Sequence, residues 1–233
     1  GAFEQGSATD FSPNFSNEAN QQFKIRNIGT GTLTYASPLV SEGGSLELLG
    51  GFLTLEGDNT YSGATTVTDG YLQVGNGDVS SPAGSLSDVT SVHIAGSGEY
   101  RPRNHDVIGS ISGDGTIDLG YSPSWNLTVG GNNSHSTFSG HIGGNGALIK
   151  TGTGTLTFDL PSIYGSSSID FTNSLQIESG KLLLTTSKNL PLRLKGSVTK
   201  TTSGAATFEI ESPTKNLTID TSITSEAGAG PLH

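Results

Sequence analysis

The stretch Tyr100-Arg101-Pro102-Arg103-Asn104-His105-Asp106 sets two guanidinium groups, an imidazole and a carboxylate close together. Arg101 and Arg103 are two of only four arginines in the chain. A guanidinium presents a planar fork that fits a carboxylate or a sulfate, so an acidic glycan is the natural ligand class for this stretch. Trp125, the single tryptophan, and Tyr61, Tyr121 and Tyr164 add rings on which a sugar can stack. The candidate ligand-binding residues are therefore Arg101, Arg103, His105 and Trp125. The plainer alternative is a polar loop. For Tyr61 and Tyr164, which sit at repeat positions, it is a structural stacking role.

Other combinations carry less chemistry. Asp114 and Asp118, or Glu209 and Glu211, could share a strand face at even spacing, as a glycosidic carboxylate pair would. Nothing in the sequence places one of them in an apolar pocket as a general acid, and outward acids on strands explain them equally. His135 and His141 lie six apart with no carboxylate nearby and no H-E-x-x-H pattern, so they are expected to be ordinary exposed histidines. Gly113-Asp114-Gly115 is expected to be a turn, since its spacing departs from the calcium-binding nonapeptide. No metal or cofactor is expected, and no enzymatic activity.

The elements that position these residues follow from pattern. Apolar residues recur at i and i+2 in short bursts: Phe23/Ile25, Leu33/Tyr35, Leu46/Leu48, Leu53/Leu55, Leu72/Val74, Leu127/Val129 and Leu156/Phe158 are examples. Period-2 alternation puts each pair on one face of a short strand, with Thr, Ser or Glu outward. No window sustains a helical period, so the chain is all-β. Turn signals such as Gly50-Gly51, Asp69-Gly70 and Gly143-Gly144-Asn145-Gly146 separate the bursts. Asn59, Asn132 and Asn145 are placed in turns where amides of neighbouring coils would pair along an axis. A sandwich, a barrel or a solenoid all fit such strands.

Composition narrows the partners. The 233 residues carry a net charge of −10, which argues against nucleic acid, since phosphate binding rests on clustered Lys and Arg. Residues 181 to 215 run against this trend with Lys181, Lys188, Arg193, Lys195, Lys200 and Lys215. They are expected to be solvated lysines on a strand edge, where charge discourages unwanted pairing. Cysteine is absent, so neither a disulfide nor a thiolate metal site stabilises the fold. No apolar run is long enough to span a membrane. The chain opens in a polar stretch and stops at what looks like the approach to a strand, so a fragment of a longer protein is expected.

Internal repetition favours the solenoid. GALIKTGTGTLTF (146 to 158) returns as GSVTKTTSGAATF (196 to 208), and GTGTLTY (29 to 35) as GTGTLTF (152 to 158). A solenoid needs such copies, because each coil stacks on a similar one. At about 20 to 25 residues per coil, inward Leu, Val, Ile and Phe would form apolar columns beneath a hydroxyl-rich wall.

GFLTLEGDNTYSGATTVTDGYLQVGNG (51 to 77) resembles the autotransporter-associated β-strand repeat. Members of that family read roughly G-x-L-T-L-x-G-x-N-T-Y-x-G-x-T-T-V-x-x-G-x-L-x-V. Gly51, Leu53, Thr54, Leu55, Gly57, Asn59, Thr60, Tyr61, Gly63, Thr65, Thr66, Val67, Gly70, Leu72 and Val74 match it. Residues 127 to 158 resemble the lead-in to such a repeat, whereas 159 to 184 depart from it, keeping only Tyr164 and Gly165 of N-T-Y-x-G. The resemblance implies a right-handed parallel β-helix over residues 23–233, with residues 1–22 as an N-terminal arm or cap. It implies the passenger of a Gram-negative autotransporter or a related haemagglutinin-like exoprotein, secreted or held at the cell surface, with an outer-membrane translocator barrel outside this stretch. No catalytic residue carries over from it. The expected role is an adhesin that binds a host or bacterial cell-surface glycan or matrix protein. The alternatives are a structural stalk that presents a distal binding domain, and a polysaccharide-degrading β-helix.

Overall fold

The computed structural model describes residues 3–5, 19–28, 31–121, 125–160, 169–171, 174–186, 192–201, 205–211, 217–219 and 223–225. Their regular structure is all strand, and every strand pairing is parallel. Strands come in triplets, such as Ser136–Phe138, His141–Gly143 and Ala147–Lys150, and each member pairs with a counterpart in an adjacent coil. The result is a parallel β-solenoid with sheets of 14, six and three strands. Phe3–Gln5 also pairs parallel with Gln22–Asn27.

The register shows how far one coil advances. The partners Ile25↔Leu48, Leu48↔Val67, Val67↔Ile94 and Ile94↔Gly113 step by 23, 19, 27 and 19 residues. Coil length therefore varies more widely than the sequence suggested, because the extra residues leave the stack as corner segments. Strands stay in register because a slip of one residue would turn every apolar side chain outward.

The expected apolar columns form. Leu33, Leu53, Leu72, Tyr100, Ile117 and Ile142 stack through successive registers and are all buried. On another face Leu127, Leu148, Leu175 and Val198 do the same. Each fully buried leucine contributes about 1.5–3 kcal/mol. Phe138 and Phe158, both buried, meet edge to face at 6.4 Å across successive coils. Gly51 and Gly70, both at positive φ, stack one above the other, and a Cβ on Gly70 would collide with the Gly51 carbonyl oxygen. The family's spaced glycines are thus sites of backbone-on-backbone contact.

Two expectations are corrected here. Tyr61, read as an exposed ring, is fully buried, and its hydroxyl meets Thr65 Oγ1 at 2.6 Å. Lys200, read as a solvated edge lysine, is buried at an inward position, because its strand parity sets it below Val198. Lys195 is exposed, and Lys181 pairs with Glu209 across neighbouring coils. Lys188, Lys215 and Tyr164 lie outside the described residues.

The asparagines act differently from an amide-on-amide ladder. Buried Asn59 accepts the Leu39 N–H at 3.0 Å and donates to the Gly57 and Ser85 carbonyls at 2.7 and 2.9 Å. Asn132 donates to the hydroxyls of Ser91 and Ser110, and Asn145 to the Tyr121 carbonyl. Each ties one coil to its neighbours through backbone or hydroxyl partners.

Candidate functional site

Strand Ser91–Pro102 carries Arg101 outward, and the chain turns at Arg103. On the outer surface Phe52 and Tyr71 face each other across adjacent coils, with ring centroids 4.3 Å apart and planes 16° apart. The Arg101 guanidinium covers the Tyr71 ring at 3.8 Å. Aromatic ring, aromatic ring and guanidinium therefore form a continuous outer stack, and Tyr71 has both faces occupied.

Both arginine forks are already engaged. Arg101 donates through Nε and Nη2 to the two oxygens of Glu99, at 2.7 and 3.0 Å. Glu99 raises the Arg101 pKa in consequence. Arg103 donates through Nη2 to Asp118 Oδ2 and through Nη1 to the carbonyls of Asp118 and Pro102. An acidic ligand would have to displace these internal carboxylates.

The structure brings Arg103 and Trp125 together, with the guanidinium 5.6 Å from the indole centroid. The half-buried indole lies against Gly120, where a Cβ would sit 2.6 Å from its Cε3. Gly120 also donates its N–H to Asp118 Oδ1, at 2.9 Å, at the end of the preceding strand. Tyr121 follows and is 87% exposed. His105 is exposed, and its backbone N–H bonds to Asn104 Oδ1 at 2.7 Å. No hydrogen bond or ion pair among the described residues joins it to the guanidinium pair or to Trp125.

Two of the carboxylates offered for glycosidic chemistry, Asp118 and Glu209, are held as anions. Burial raises the Asp118 carboxyl, but the Gly120 N–H and the Arg103 guanidinium outweigh it and hold the group below its ordinary value. Lys181 lowers Glu209. His135 accepts the Thr155 N–H at its Nδ1, 3.0 Å away, and His141 is exposed. Among the described residues no cluster of His, Cys, Asp or Glu could hold a metal ion.

Sequence reasoning missed three inward polar residues. Asp106 and Lys150 are each 1% exposed, and Lys200 is 3% exposed. Strand parity was the available signal: Asp106 precedes buried Ile108 by two, Lys150 follows buried Leu148 by two, and Lys200 follows buried Val198 by two.

Comparison with known proteins agrees with this architecture. The family described as passenger-associated-transport-repeat matches residues 50–74 and 148–184. A protein of Brucella suis biovar 1 (strain 1330), named Adhesin BmaC autotransporter, is 33% identical over 176 residues. The match covers 70% of this chain and 5% of that relative's length. No solved structure matches. The chain thus belongs to the autotransporter passenger repeat family, whose members are secreted or displayed at the surface of a Gram-negative cell.

Proposed function

We propose that this stretch is a non-enzymatic adhesive segment of a passenger, and that it contacts cell-surface glycan through the face around Arg103 and Trp125. The relative's name supports adhesion at the level of the whole protein. The observation that carries the site is the pairing of both guanidinium forks with Glu99 and Asp118. The pairing leaves ring surface and neutralised polar groups as the means of recognition, so the ligand is an uncharged sugar in preference to a sialylated or sulfated one. Half-buried Trp125 and exposed Tyr121 supply the rings. Weak contacts repeated along a long rod would add by multivalency.

Trp125 is the single tryptophan, so its fluorescence reports this face alone. Titration with neutral oligosaccharides should change the emission saturably, whereas sialylated and sulfated ones should not. Loss of cell attachment in Trp125→Ala, with an unchanged circular dichroism spectrum, completes the expected result. Attachment that survives Trp125→Ala and Arg103→Ala would favour a structural stalk, a reading to which the internally paired outer charges lend weight. Release of sugar from a polysaccharide by the purified chain would overturn the non-enzymatic reading.

A further inference from the structure

Asp106 occupies an inward column in which the next four coils place Leu127, Leu148, Leu175 and Val198. A carboxyl there is enclosed by the apolar interior. Its Oδ1 accepts the Leu86 N–H at 3.0 Å and its Oδ2 accepts the Tyr100 hydroxyl. Asn59 holds the same relation to the Leu39 N–H, also at 3.0 Å and also twenty residues on. One corner is thus closed by a neutral amide and another by an ionisable group of the same shape.

We propose that Asp106 makes its coil a proton-dependent joint in the rod, tight when the carboxyl is neutral and loosened when it is ionised. Burial drives the effect, because the charged form loses its water. The groups that face the carboxyl add little to oppose it. Tyr100 on strand Ser91–Pro102 and the N–H groups of Leu86 and Val107 favour the anion, while Asp88, ahead of that strand, carries the same sign and disfavours it. Tyr61, from the corner before strand Thr65–Val74, feels the Asp106 charge and is raised by it as well as by burial. Leu127, in the coil above, is apolar. The balance lifts the carboxyl to about 7.

The sign follows from linkage. An ordinary Asp titrates near about 3.9, so the folded chain holds this proton more tightly than the unfolded one. The stabilisation is complete below that value and is lost as pH rises through about 7. Hydrogen exchange at the Leu86 amide, corrected for intrinsic rate, reads the opening directly. Its opening equilibrium should rise roughly 30-fold from pH 5.5 to pH 8 in the native chain. In Asp106→Asn it should not rise, because the amide keeps the Leu86 bond as Asn59 keeps that of Leu39. An equal rise in the variant, or none in the native chain, would overturn the proposal. If the variant fails to fold, infrared titration of the native chain decides. A protonated-carboxyl stretch that disappears near pH 7 is expected, and a carboxylate throughout that range sinks the idea.

Discussion

Arg101 and Arg103 stand on the outside of the solenoid, and Lys150 and Lys200 stand inside it. The outer pair meets carboxylates: Glu99 two residues away on the same strand face, and Asp118 one coil on. Lys150 instead points its ammonium at backbone, donating to the carbonyls of Thr151, Gly152 and Ser179. Those oxygens belong to turns that close two successive coils. Water reaches the Arg101–Glu99 pair most freely, so the charge pairing there is worth little and is easily replaced. The inner ammonium donates to three half-buried carbonyls, so removing it takes a donor from several acceptors at once. A formal charge is tolerated in this core because backbone oxygens converge on it.

The largest expected effect is therefore inside. Lys150→Met keeps the apolar stem and deletes the donor. It should lower unfolding stability by about 1–3 kcal/mol in urea titration, the cost of leaving buried polar acceptors without their donor. A rise in stability would mean that the carbonyls find other partners once the lysine is gone, and the contrast between inside and outside would fail.

The pH dependence sharpens the same contrast. Desolvation lowers Lys150 to about 8. An unfolded lysine titrates near about 10.4, so the unfolded chain holds the proton more tightly here. The stability contributed is present in full above the unfolded value and is lost as pH falls through the folded one. Raising pH from 8 to 9.5 should stabilise the native chain by about 1–2 kcal/mol relative to Lys150→Met. Asp106 acts in the opposite sense in its lower window, so these two groups together leave the rod least stable between pH 7 and 8.

The alternation in the sequence revealed most of the fold and misread these cations. Leu53/Leu55 and Leu72/Val74 are fully buried because period-2 parity states which face a residue takes. The same parity, applied to Leu148/Lys150 and Val198/Lys200, marks both lysines as inward. They recur at equal offsets in two copies of one repeat, fifty residues apart, a further sign of a structural position. Charge alone argued for solvent, and position outweighed it. At the candidate site the Glu99–Arg101 pair was legible as i, i+2 neighbours. The Arg103–Asp118 pair was not, because it depends on how far one coil advances, and coil length here varies from 19 to 27 residues.

On the outer surface Arg103 should matter more than Arg101. Its side chain is 12% exposed, and it bonds to a carboxylate and two carbonyls beside Trp125. Arg103→Ala should cost about 1–2 kcal/mol and shift the Trp125 emission to the red as the indole loses its cover. An unchanged emission would show that the indole rests on Gly120 without help from the guanidinium.

Arg101→Ala should have the smallest effect, about 0.5 kcal/mol. The bidentate bond to Glu99 is well formed, but both side chains are more than a quarter exposed, at 28% and 27%. The guanidinium over Tyr71 adds a weak attraction, and Phe52 covers the other face of that ring. A double-mutant cycle of Arg101→Ala with Glu99→Ala isolates the pair. A coupling near that of ordinary exposed ion pairs keeps the outer charges as replaceable neutralisers. A coupling as large as the Lys150 effect would mean that the outer stack of Phe52, Tyr71 and Arg101 is as rigid as the interior, and the contrast between outer and inner charges would fail.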